Sequence, residues 1–154
     1  MNYKYHGLMS MLLFSIAVVI AMAAMWPDAN RWWWIAGYAL VNIVSSVGVA
    51  YSYCAKCACR PGNCSHIVIG MMADYLPARP QVPYTLGDYL GMAFSVGIVF
   101  LYPLYWLLRD PRFLIAFLAV GALAGLEIIL AVCTHCVNHR CLACRWQERL
   151  LKKP

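Results

Sequence analysis

GLMSMLLFSIAVVIAMAAMW, residues 7–26, is the stretch on which the fold turns. An α-helix rises about 1.5 Å per residue, so about twenty apolar residues match the hydrocarbon core of a bilayer. The stretch is therefore either a membrane span or a signal peptide. Lys4 ahead of it and the triplet Ala21-Met22-Ala23 resemble a signal sequence and its cleavage site. Its length, however, exceeds the roughly 7 to 15 residues of a signal core, and it reads as a retained span.

Working outward, three more apolar runs follow. Pro27, Asp28 and Asn30 make a polar turn, after which residues 32–53 carry three tryptophans at one end and Tyr51 and Tyr53 at the other. Such rings settle at the two membrane interfaces. Beyond Cys64, Ser65 can cap a short amphipathic helix reaching about Asp74, and Pro77, Pro80 and Pro83 force the next stretch to be extended. Thr85 followed by Asp88 has the spacing of a capping box and opens a third span at residues 87–108, with Pro103 expected to kink it. Arg109-Asp110-Pro111-Arg112 reverses the chain into a fourth span at residues 113–131, and a basic amphipathic tail runs from Arg145 to Pro154. The expected fold is all-α, a single membrane domain over residues 1–154 built as a four-helix bundle.

Composition agrees. The chain is 64% hydrophobic and 12% charged, whereas soluble domains carry roughly 25% charged residues. The net charge of +6 arises from basic residues at the ends of apolar runs, where they face anionic head groups, and nucleic acid is not an expected partner. No glycine-rich phosphate loop, nucleophile elbow or HExxH zinc motif occurs, so the sequence supports none of the enzyme classes those motifs mark.

With four spans, the N-terminus, the 54–86 loop and the tail share one side. Lys4, Lys56, Arg60, Arg79, Arg140, Arg145, Arg149, Lys152 and Lys153 lie there, nine of the twelve Lys and Arg residues; Arg31, Arg109 and Arg112 lie opposite. The positive-inside tendency then puts both termini in the cytoplasm, in an integral protein of the cytoplasmic (inner) membrane.

Two segments on that side hold all eight cysteines and three of the four histidines. The first, residues 54–66, has Cys54, Cys57, Cys59, Cys64 and His66. The second, residues 133–144, has Cys133, His135, Cys136, His139, Cys141 and Cys144. Cytoplasmic thiols are kept reduced, so metal ligation or redox chemistry is expected rather than structural disulfides. A CxxC pair brings two thiolates to one ion through a tight turn, and three such pairs occur. The histidines are candidate ligands or support for ligands. Zinc and iron–sulfur remain open: thiolate pairs beside histidines suit zinc, while two groups of four cysteines match two cubane clusters without the ferredoxin spacing. If the fourth helix continued unbroken, Cys133, Cys136, Cys141 and Cys144 would face one way but spread over about 16 Å. A break near Asn138 would let each segment close its own four-thiolate site.

Glu127 is the one ionisable residue well inside a span, so it is a candidate metal ligand or part of a cation path, or else a carboxyl bonded to a neighbouring helix. Gly121, Ala122, Ala124 and Gly125 offer a small-residue surface for a close helix, in the same chain or in a homodimer. The expected function is a metal- or cluster-binding membrane subunit, structural or passing electrons to a membrane redox partner. A thiol–disulfide oxidoreductase, with Lys56, Arg140 and Arg145 lowering thiol pKa, and a soft-metal transporter are the alternatives.

Cys54, Cys57 and Cys64, followed by Cys133-Thr-His-Cys136-Val-Asn138-His-Arg-Cys141, resemble a group of prokaryotic four-helix integral membrane proteins with paired cysteine clusters. The likeness covers about a quarter of the chain, and Cys144 departs from the pattern, where a polar residue is expected. The resemblance implies architecture and carries no activity.

Overall fold

A computed structural model describes residues 3–57, 67–80 and 83–133. Cys59, Cys64, His66, Cys136, Cys141, Cys144, His135, His139, the Asn138 break and the basic tail lie outside the described residues.

Among the described residues every regular element is helical: α1 (Tyr3–Met25), α2 (Arg31–Ser52), a short 3-10 turn (Cys54–Lys56), α3 (Ile67–Tyr75), α4 (Leu86–Leu101), α5 (Leu104–Leu107) and α6 (Pro111–Glu127). A π-turn from Ile128 to Val132 ends the described chain at Cys133. Four segments are long and apolar enough to cross a membrane: Tyr5–Met25, Arg31–Lys56, Leu86–Leu107 and Pro111–Val132. Each expected span coincides with one of these helices, with its ends moved by a few residues. The fourth starts early because Asp110 caps it, accepting from the Arg112 N–H at 2.9 Å, and Pro111 fits the first helical turn.

Pro103 acts as expected. It cannot donate to a carbonyl one turn back, so α4 stops at Leu101 and α5 starts afresh at Leu104. The Trp106 and Leu107 N–H groups both use the Pro103 carbonyl at 3.0 Å. The break is filled rather than open, since Pro103 itself is fully buried.

The helices pair: α1 packs along α6, and α2 along α4. Between the pairs lies a core formed by Ala17, Ala21 and Met25 of α1, Tyr38 of α2, Val99 of α4, Trp106 and Leu107 of α5, and Phe117 of α6. Lipid tails are as apolar as these side chains, so close packing and hydrogen bonds must hold such helices together. Tyr38 does both: its ring stacks on Tyr102 at 5.5 Å and its O–H donates to the Val99 carbonyl at 3.2 Å. Large apolar side chains such as Leu12, Ile43, Phe94 and Ile115 point outward around the bundle.

At this tryptophan-rich end the α1–α2 turn closes on Asp28. Its Oδ1 accepts from the Asn30 N–H at 2.9 Å, and its Oδ2 from Trp106 Nε1–H at 3.4 Å, with Arg109 Nη1 3.9 Å away. The Asn30 N–H foremost, then Trp106 and Arg109, hold the Asp28 carboxyl below its ordinary value of 3.8 against a smaller opposing effect of desolvation.

Candidate functional site at the cysteine-bearing end

The C-terminal ends of α2 and α6 meet the N-terminal ends of α1 and α4 at the opposite end of the bundle. The described parts of both cysteine segments emerge there, as the four-span alternation requires.

The first segment starts as a wound turn. Tyr53 closes α2 with its N–H on the Val49 carbonyl at 2.9 Å, and the Cys57 N–H then closes on the Cys54 carbonyl at 3.0 Å. Cys57 itself is extended, at φ −73° and ψ 135°. Three residues wound into one 3-10 turn bring positions i and i+3 to the same side, the arrangement a CxxC pair needs to share an ion. Cys54 and Cys57 are both half-buried.

This turn is tied to α4. Lys56 has a side chain only 4% exposed, and its ammonium lies 2.5 Å from Asp88 Oδ2. Asp88, 3% exposed, also accepts from the Thr85 N–H at 2.8 Å and the Thr85 hydroxyl at 2.9 Å through Oδ2. Its Oδ1 accepts from Arg79 Nη1 at 2.8 Å. The capping box foreseen from Thr85 and Asp88 is thus formed, but the same carboxylate anchors two cations. A buried charge set of this kind loses roughly 3 to 5 kcal/mol when one partner is removed, because the rest stay desolvated. Arg79 and Tyr84 complete the clasp. The Arg79 N–H donates to the Ala55 carbonyl at 3.2 Å, its guanidinium lies over the Tyr51 ring at 5.0 Å, and Tyr84 stacks on Tyr53 at 4.2 Å while donating to the Tyr53 carbonyl at 3.2 Å. Lys56 is therefore committed to Asp88, which weakens its expected role as the cation that activates a neighbouring thiol.

The second segment is reached through an altered helix. Glu127 ends α6, and the next five residues wind as a π-turn whose last bond runs from the Cys133 N–H to the Ile128 carbonyl. Single π-turns of this kind recur at functional positions. Cys133 is buried, 6% exposed, and α1 packs against the π-turn. Glu127 meets His6: Oε1 lies 2.6 Å from His6 Nδ1, with side chains 28% and 19% exposed. Of the readings open for Glu127, the geometry matches a carboxyl bonded to a neighbouring helix. His6 carries no motif, and the signal that could have found it is topological: α1 starts where α6 ends, so a polar residue in the first turn of α1 faces the last turn of α6.

Among the described residues no group of three or more Cys, His, Asp or Glu side chains converges as a metal cage. The structure brings Cys54 and Cys57 into one turn, and His6 and Glu127 into contact. The small-residue surface of α6 is half used: the Phe100 ring would lie 3.2 Å from a Cβ on Gly121, while Gly125 has nothing within 4 Å. No protein-family model, curated protein or solved structure matches this chain.

Proposed function

We propose that this chain is an integral membrane protein that binds a soft metal ion or an iron–sulfur cluster through cytoplasmic thiolates, with a structural or electron-transferring role. The observation that carries the reading is the gathering of all eight cysteines into two short segments that follow the second and fourth spans. Chance filling of apolar space would have scattered them. The turn closed by the Cys57 N–H on the Cys54 carbonyl adds support, because it brings positions 54 and 57 to the same side. The cytoplasmic assignment rests on the nine basic residues of the cysteine side. Lys56 and Arg79 are paired with Asp88 there.

Purification in detergent under anaerobic conditions, with visible absorption and elemental analysis, tests the proposal. Brown protein with iron and labile sulfide supports electron transfer, and colourless protein with stoichiometric zinc supports a structural site. Metal-free protein whose thiols titrate reversibly to disulfides would sink the proposal and favour thiol–disulfide exchange.

A further inference from the structure

We infer that Asp88 is a positioning residue for the Cys54–Cys57 half of the thiolate site, holding the CxxC turn closed against the bundle through Lys56 and Arg79. The inference rests on the metal-binding reading and goes beyond it, since it assigns a role to Lys56 within the turn and to Arg79 and Asp88 outside it.

Asp88 does more than cap a helix. Capping α4 needs only an acceptor for the Thr85 N–H, and Asp110 performs the equivalent task for α6 while remaining partly exposed. Asp88 is buried, and each of its oxygens is engaged by a cation, Oδ2 by Lys56 and Oδ1 by Arg79. Lys56 sits between Cys54 and Cys57 within the turn. Arg79 binds the turn twice, by its backbone N–H to Ala55 and by the carboxylate it shares with Lys56. Pulling the turn away from α4 would separate the Lys56 ammonium from the buried Asp88 carboxylate and leave that carboxylate short of a partner, so the turn is held in one place before any ligand arrives. Preorganisation of this kind is how residues behind the ligands set metal affinity.

Charge argues the same way. Lys56 and Arg79 against Asp88 leave one net positive charge where the thiol-bearing turn meets α4. A dication held by four thiolates carries a net negative charge, and an adjacent cation stabilises it in a low dielectric. Asp88 thus fixes the place of that positive charge without cancelling it.

The test uses the full chain in detergent, reduced, with and without zinc ion, followed by alkylation and mass-spectrometric mapping of each cysteine. In the unaltered protein zinc protects Cys54 and Cys57. Asp88→Asn should weaken zinc protection at these two by about 10- to 100-fold, leave protection in the 133–144 segment unchanged, and be partly rescued by Asp88→Glu. Arg79→Gln, which keeps the Lys56–Asp88 pair and the Thr85 cap, should give a smaller loss at the same two cysteines and decides the matter if Asp88→Asn does not fold. Unaltered protection of Cys54 and Cys57 in the folded variants overturns the inference while leaving the metal-binding reading intact. Zinc protection of no cysteine in the unaltered protein overturns both.

Discussion

The two carboxylates at the cysteine end, Asp88 buried and Glu127 half-buried, illustrate how differently single residues behave at a helix end. Asp88 is surrounded by donors from three parts of the chain, whereas Glu127 depends on a shared bond with His6. His6→Ala should lower the thermal unfolding midpoint in detergent by the equivalent of roughly 1 kcal/mol. Combined with Glu127→Gln, the loss should be smaller than the sum of the single losses, and strict additivity would show that the pair does not couple. Asp28 at the far end makes a pH prediction. Its folded pKa lies below the ordinary 3.8, so its contribution to stability is present above that value and fades as pH falls through the depressed folded value. Asp28→Asn should flatten that acid limb of the stability profile; an unchanged limb would remove Asp28 from its cause. Glu127 was legible as a residue needing a partner, because an ionisable group in lipid must have one. The partner was not, since His6 lies 121 positions away.

Between elements, the decisive contact is a reciprocal one. Gly48-Val-Ala-Tyr-Ser52 on α2 and Gly91-Met-Ala-Phe-Ser95 on α4 are both small-xxx-small patterns. Antiparallel packing sets the glycine of each against the serine of the other. A Cβ on Gly91 would lie 2.6 Å from the Ser52 hydroxyl, and one on Gly48 would overlap the Ser95 hydroxyl. Gly48→Leu should therefore lower the unfolding midpoint in detergent by the equivalent of about 1 to 3 kcal/mol. Gly97→Leu, on the same α4 but with nothing within 4 Å, should leave it near the original value. Equal effects would contradict the packing. The same four-residue spacing at Gly121 and Gly125 attracts attention in the sequence, yet among the described residues only Gly121 receives a ring. Spacing marks which helix faces can come close; the partner's register decides which of them do. Helix ends show a similar division. Pro103, Asp110 and Thr85 announced their boundaries through local chemistry, whereas the π-turn after Glu127 has no local signature and follows from how α6 meets α1.

For the whole molecule, the outward ring of large apolar residues and the four long apolar helices lead to an expectation that separates it from a soluble bundle. After alkaline carbonate extraction the chain should stay with the membrane pellet. In right-side-out vesicles a membrane-impermeant thiol reagent should fail to reach the cysteines, and in inverted vesicles it should react with Cys57 or its metal-free neighbours. Labelling from the outside would reverse the orientation and remove the reducing-compartment basis for metal ligation. Retention of residues 7–26 also has a packing consequence. α1 supplies Ala17, Ala21 and Met25 to the core and His6 to Glu127, so cleavage would open the interior along α6.

Sequence alone determined the number of long apolar helices, their approximate limits, and the alternation that brings Cys54, Cys57 and Cys133 to one end. These depend on hydrophobic length, charge placement and short-range caps, which are properties of neighbouring residues. Tertiary structure alone decided that α1 lies along α6 and α2 along α4, that Lys56 is committed to Asp88, and that Glu127 meets His6. Each of these joins residues far apart in the chain. Their pairing depends on which helix faces fit closely enough to satisfy buried polar groups where lipid offers them no hydrogen bond.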